Sequence, residues 1–114
     1  MAERLDRALL EERRMLMNDG FAALLDAYLD DSERRMGEIG DALESGDLER
    51  LRRAAHALKG SAANVGAEAL AVLCEELEDA AEATGLDALG PLVDRVRAEL
   101  RDVRDAVVAE QQKH

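Results

Sequence analysis

The chain has 114 residues, of which 47% are hydrophobic, 36% charged and only 2% aromatic, with one Pro and one Cys. That length supports one domain with a proper core but not two, and a formal net charge of -11 disfavours nucleic acid and anionic membrane as partners, which points to a protein partner. A core that must be built from Ala, Leu and Val, with no alternating β-branched runs and little Pro, predicts an all-α fold.

In chain order, Met1-Ala2-Glu3-Arg4 opens straight into charged amphipathic sequence, without an apolar signal region. No stretch approaches the ~20 apolar residues of a membrane span. The protein is therefore expected to be soluble, unexported and cytoplasmic. Leu5, Ala8, Leu9 and Leu16 recur at helical spacing and predict a short first helix from residue 2 to about 16, packed across one end of the rest. Asn18-Asp19-Gly20 is a break with capping chemistry, after which Phe21, Leu25, Tyr28, Leu29, Met36, Ile39 and Leu43 trace one helical face, weakened locally by Gly37 and Gly40. Ser45-Gly46-Asp47 stops that helix and caps the next, which runs from Leu48 to about Val65. Beyond Gly66 a further helix carries Leu70, Leu73, Leu77 and Ala80 and ends near Thr84-Gly85. The last starts around Asp87 or Pro91 and continues through Leu92, Val96, Leu100, Val103 and Val107. Residues 111–114 read as a frayed end, with no role for His114.

Short connections make consecutive helices antiparallel. The expected architecture is one domain over residues 1–114, a helix over 1–17 followed by an up-down antiparallel four-helix bundle over 19–110. The lone Cys74 cannot form an internal disulfide and reads as a small buried hydrophobe.

The stretch Ala55-His56-Ala57-Leu58-Lys59-Gly60-Ser61 carries the most chemistry. On a helix turning about 100° per residue, Leu51, Ala55, Leu58, Ala62 and Val65 form the apolar stripe, and His56 lies about 140° from its centre. His56 is thus expected to face outward, in a stripe with Arg52, Lys59, Gly60 and Ala63. Ala62 and Val65 keep the apolar phase across Gly60, which places that glycine inside the helix and makes Gly66 the stop. A mid-helix Gly costs about 1 kcal/mol relative to Ala. Beside an exposed His, it suggests close approach by another molecule.

An exposed imidazole offers a ring-nitrogen lone pair near neutral pH, so His56 can act as a nucleophile toward an acyl phosphate. Lys59, one turn along, would bring positive charge to the incoming phosphoryl oxygens, and Arg52 could add to that field. Ser61 lies off the stripe, where its hydroxyl is expected to bond a backbone carbonyl or a neighbouring helix. A di-iron bundle would need Glu-x-x-His, but Arg53 stands three residues before His56. Too few His and Cys are present for a zinc site, and neither a nucleophile elbow nor a phosphate-binding loop is visible. The charge runs at residues 11–14 and 75–79 read as solvated helix faces.

Gly46-Asp47-Leu48, the run from Ala55 through Gly66-Ala67, and Leu70, Leu77 and Glu78 closely resemble the histidine-containing phosphotransfer (HPt) family over roughly residues 16–108. The resemblance implies a four-helix bundle presenting a phosphorylatable histidine. It makes His56 the phospho-acceptor, Lys59 the residue that favours the phosphoryl group and Gly60 the clearance for a docking receiver domain. Ala62 stands where many relatives have a second Ser. Family members lack kinase activity of their own and contribute no cofactor or metal; the Mg²⁺ is expected on the receiver. The implied role is a monomeric phosphorelay intermediate in two-component signalling, exchanging phosphoryl groups with response-regulator receiver aspartates and served by a hybrid histidine kinase. Arg52 and Ala63 are then expected to touch the partner. Chemotaxis-type kinases begin with a similar domain, but the chain is expected to stand alone. The alternative reading is a helical adaptor that binds a receiver-like partner without being phosphorylated.

Overall fold

The computed structural model describes residues 4–83 and 85–113. Five α-helices account for nearly all of them: α1 (Arg7–Met17), α2 (Gly20–Ser45), α3 (Leu48–Asn64), α4 (Glu68–Ala83) and α5 (Leu89–Lys113), with a 3-10 turn at Leu86–Ala88 before α5. Among the described residues there is no strand, and no helix is long and apolar enough to cross a membrane.

Each long helix buries one stripe at three- and four-residue spacing. Phe21, Leu25, Tyr28, Ser32, Met36, Ile39 and Ala42 line the inner face of α2. Leu51, Ala55, Leu58 and Ala62 do so on α3, and Leu70, Cys74, Leu77 and Ala81 on α4. Val93, Val96, Val103 and Val107 complete the core from α5. Neighbours pair in a closed ring, α2 on α3, α3 on α4, α4 on α5 and α5 back on α2, with α1 laid against α2. With connections of only a few residues, that ring is an up-down antiparallel bundle.

The turns that set this order are chemically specified. Gly46 adopts φ +76°, and its N–H reaches the carbonyls of Ala42 and Leu43 to close α2. Asp47 then accepts from Arg50 N at 3.0 Å and starts α3. Gly66, at φ +72°, ends the α3 segment, and its carbonyl accepts from Asp6 N at 2.9 Å. That contact ties the N-terminal segment to the base of α3.

The same contact corrects the first helix. α1 starts at Arg7 because the Asp6 N–H goes to Gly66 while the Asp6 carboxylate caps Leu9 N at 3.1 Å. Leu5 and Leu10 are the buried residues, whereas Ala8 and Leu16 are exposed. At the next break Asp19 makes no side-chain cap; Asn18 takes φ +51° and its carbonyl accepts from Phe21 N. α5 extends through residue 113, and Gln111 is tied down, donating to Asp26 Oδ1 at 2.7 Å, so this end is not frayed. Thr84 and His114 lie outside the described residues, as do residues 1–3. Cys74 is a buried free thiol, and burial pushes its pKa up to about 12.

Candidate functional site

With Leu51, Ala55, Leu58 and Ala62 turned to the core, the opposite side of α3 presents His56 to solvent, its side chain 64% exposed. Arg52, His56 and Lys59 follow at i, i+4 and i+7, and this stripe leans over the edge of α4. There it meets Glu78, whose side chain is only 15% exposed. His56 Nδ1 stands 3.0 Å from Glu78 Oε2. Lys59 Nζ lies 3.3 Å from Oε1, an ion pair outside hydrogen-bond geometry. Arg52 Nη1 is 3.9 Å from Oε2. One carboxylate therefore collects three cationic or cation-forming side chains.

Two opposing effects act on Glu78. Burial pushes its pKa up, but the hydrogen bond from His56 and the charge of Lys59 outweigh that and hold it below the ordinary carboxylate value. An ionised carboxylate only accepts, so His56 Nδ1 must carry the donated proton. In the neutral ring the free lone pair is then on Nε2, directed away from Glu78.

Gly60 lies within α3, exposed, and a Cβ built on it meets nothing within 4 Å. Ala63, one turn further, is also exposed, so the surface beside His56 is low and unobstructed. Arg52 is engaged elsewhere: it bonds Glu49 at 2.7 and 3.2 Å on its own helix and sits 3.7 Å from Glu82 on α4. Lys59, at 30% exposure, is half-covered rather than fully solvent-facing. Ser61 turns to the other side, where its hydroxyl bonds the Asp31 carboxylate of α2. His56–Glu78 and Ser61–Asp31 are thus separate pairs, and no Ser-His-acid triad forms from them. Among the described residues no group of three or more His, Cys, Asp and Glu could hold a metal ion.

Glu78 is the residue that sequence reasoning underrated. Glu75, Glu76 and Asp79 are exposed, as expected for a solvated run, but Glu78 follows the buried Leu77 and tips toward α3. The signal was its i, i+4 spacing to Glu82, an acidic pair matching the cations of α3, but reading it required knowing that α3 and α4 are neighbours.

The family model of the Hpt domain matches residues 23–106. Histidine-containing phosphotransfer protein 1 of Oryza sativa subsp. japonica is 30% identical over 89 residues, 76% of this chain, and the chain spans 60% of that protein's length. Histidine-containing phosphotransfer protein B of Pseudomonas aeruginosa PAO1 superposes with a TM-score of 0.93 at 35% identity, covering 100% of this chain and 99% of that one. A maize histidine-containing phosphotransfer protein, at 24% identity, shares the fold with a TM-score of 0.86 over 97% of this chain and 91% of its own. With the family model spanning α3, α4 and most of α2 and α5, and a bundle that superposes on the Pseudomonas aeruginosa protein over nearly the full length of both chains, the chain belongs to the Hpt domain family.

Proposed function

We propose that the protein is a phosphorelay intermediate, in which His56 accepts a phosphoryl group from one response-regulator receiver aspartate and passes it to another in the cytoplasm. The observation that carries this reading is the pairing of His56 Nδ1 with Glu78, which leaves Nε2 free on an open surface beside Gly60.

The Nε2 lone pair attacks the phosphorus of an aspartyl phosphate, the bond from phosphorus to the carboxylate oxygen breaks, and the receiver carboxylate leaves with that electron pair. No proton needs to move. The ring then carries a phosphoryl group on Nε2 and a proton on Nδ1, and its positive charge is offset by Glu78. Lys59, balanced on the other oxygen of the same carboxylate, is close enough in sequence and space to bring its ammonium to the phosphoryl oxygens. The reverse reaction uses the same groups. The acidic pocket and Mg²⁺ are assigned to the receiver, and a hybrid histidine kinase is the proposed source of phosphoryl groups. Gly60 and Ala63 form the floor on which the receiver settles; Arg52, tied to Glu49, borders it.

Incubation with an isolated receiver domain charged by acetyl phosphate should transfer acid-labile, alkali-stable label to the protein. His56→Gln should take up none. Label on His56→Gln would move the phospho-acceptor to another residue, and an unlabelled protein that still docks and signals would replace this reading with a non-phosphorylated adaptor.

A further inference from the structure

The seam between α2 and α5 lies across the bundle from the α3–α4 seam that holds His56 and Glu78. Along it runs a groove of about 510 Å³ with apolar side chains from Leu29, Met36 and Leu100. Three arginines of α5, Arg97, Arg101 and Arg104, stand over it at i, i+4 and i+7. All three are exposed, and none has an ion pair or hydrogen bond among the described residues. This is unusual in a chain of net charge -11. Most other basic side chains, from Arg4 and Arg7 to Arg52, Lys59 and Lys113, are held by internal carboxylates.

A second observation falls on the same groove. Gly37 lies inside α2 on its wall, exposed, and a Cβ there would meet nothing within 4 Å. Neither a turn nor internal packing requires a glycine at this point of a 26-residue helix, where it weakens the helix relative to Ala. The side chain is missing on the side from which another molecule would approach.

We propose that the α2–α5 groove docks an acidic amphipathic segment of a partner protein, its apolar residues on Leu29, Met36 and Leu100 and its carboxylates on Arg97, Arg101 and Arg104. Guanidinium groups pair carboxylates in a two-pronged geometry that suits a peptide, and apolar residues between the arginines give such a segment purchase that a bare polyanion lacks. Glu33 lines the same groove and Asp94, Asp102 and Asp105 lie on the same helix, so an extended polyanion, charged along its whole length, meets more repulsion than a segment whose carboxylates face only the three arginines. The groove is separate from the His56 surface, so this partner and a receiver can be bound together, and the inference does not depend on the phosphotransfer reading.

The test uses a fluorescein-labelled 15-residue helical peptide with leucines on one stripe and glutamates flanking it, together with its Glu-to-Lys counterpart. Anisotropy titration against the full chain at physiological salt should show saturable binding by the acidic peptide at least tenfold tighter than by the lysine peptide. Amide shift changes should fall on residues 29–37 and 97–104 and spare His56 and Gly60. Arg97→Glu/Arg101→Glu/Arg104→Glu should abolish binding, and Gly37→Leu, which has room to fold, should weaken it tenfold or more. Uptake of label by the protein should be unchanged in both variants. Equal binding of the two peptides, shifts centred on His56, or tighter binding of a DNA duplex or anionic phospholipid vesicles would overturn the proposal.

Discussion

Replacing glycine by alanine at two sites six residues apart should shift stability in opposite directions. Gly60 lies within α3 with open space where a Cβ would go, so Gly60→Ala adds a methyl without a clash and restores helix propensity. The gain is up to about 1 kcal/mol. With an unfolding entropy of roughly 2.1 cal/mol/K per residue, about 240 cal/mol/K for a chain of 114 residues, that raises Tm by about 4 °C. Gly66 is held at φ +72°, and a Cβ there would stand 2.7 Å from Asp6 Cβ and 2.9 Å from Asp6 N. The left-handed backbone costs Ala about 1–2 kcal/mol, and displacing Asp6 loosens its hydrogen bond to the Gly66 carbonyl, worth about 1 kcal/mol. Gly66→Ala should therefore lower Tm by about 8–12 °C on the same scale. Thermal melts followed by circular dichroism at 222 nm decide the matter. A destabilised Gly60→Ala would mean that the helix does not run through residue 60, and a neutral Gly66→Ala would mean that the N-terminal segment does not dock on the α3–α4 turn.

Removing the Lys59 ammonium in Lys59→Ala should slow phosphoryl uptake at least tenfold while costing at most about 1 kcal/mol, since its ion pair to Glu78 is partly exposed; equal transfer rates would show that the ammonium serves only that ion pair and takes no part in transfer. Glu78 has a carboxyl pKa depressed by folding, so the stability it contributes is present above its unfolded value of 4.5 and is lost as pH falls through the lower folded value. Urea titrations should accordingly show wild type above Glu78→Gln at pH 7 and the two converging as the pH falls below the ordinary carboxylate range; a gap that persists into strong acid would place the contribution in packing instead. Asp47→Ala removes the α3 cap and should cost about 1 kcal/mol by urea denaturation, leaving the His56 surface intact; a loss below a few tenths would mean that the bond to Arg50 N does not hold the helix start.

The parts of this molecule legible in the sequence are those governed by local periodicity. The span of α3, Gly60 inside it and Gly66 at its end all followed from the phase of Leu51, Ala55, Leu58 and Ala62, which the folded chain buries as one stripe. Outward placement of His56 came from the same phase. What escaped depended on contacts between distant residues. α1 could not be started at Arg7 without knowing that Asp6 binds Gly66, and the order at Gln111 comes from Asp26, 85 residues away in sequence. Its buried face was misassigned because an 11-residue helix contributes a single buried residue, Leu10, and Leu5 packs from outside it. Glu78 looked like one carboxylate among several on a charged face, and only the packing of α4 on α3 sets it apart.

The central claim, that Glu78 holds Nδ1 so that Nε2 of His56 takes the phosphoryl group, is tested most directly by long-range proton–nitrogen NMR of the ¹⁵N-histidine-labelled protein after phosphorylation at alkaline pH. The account predicts one phosphohistidine, at His56, substituted on Nε2 and still protonated on Nδ1. Substitution on Nδ1, or a phosphoryl group on His114 with His56 unmodified, would contradict it.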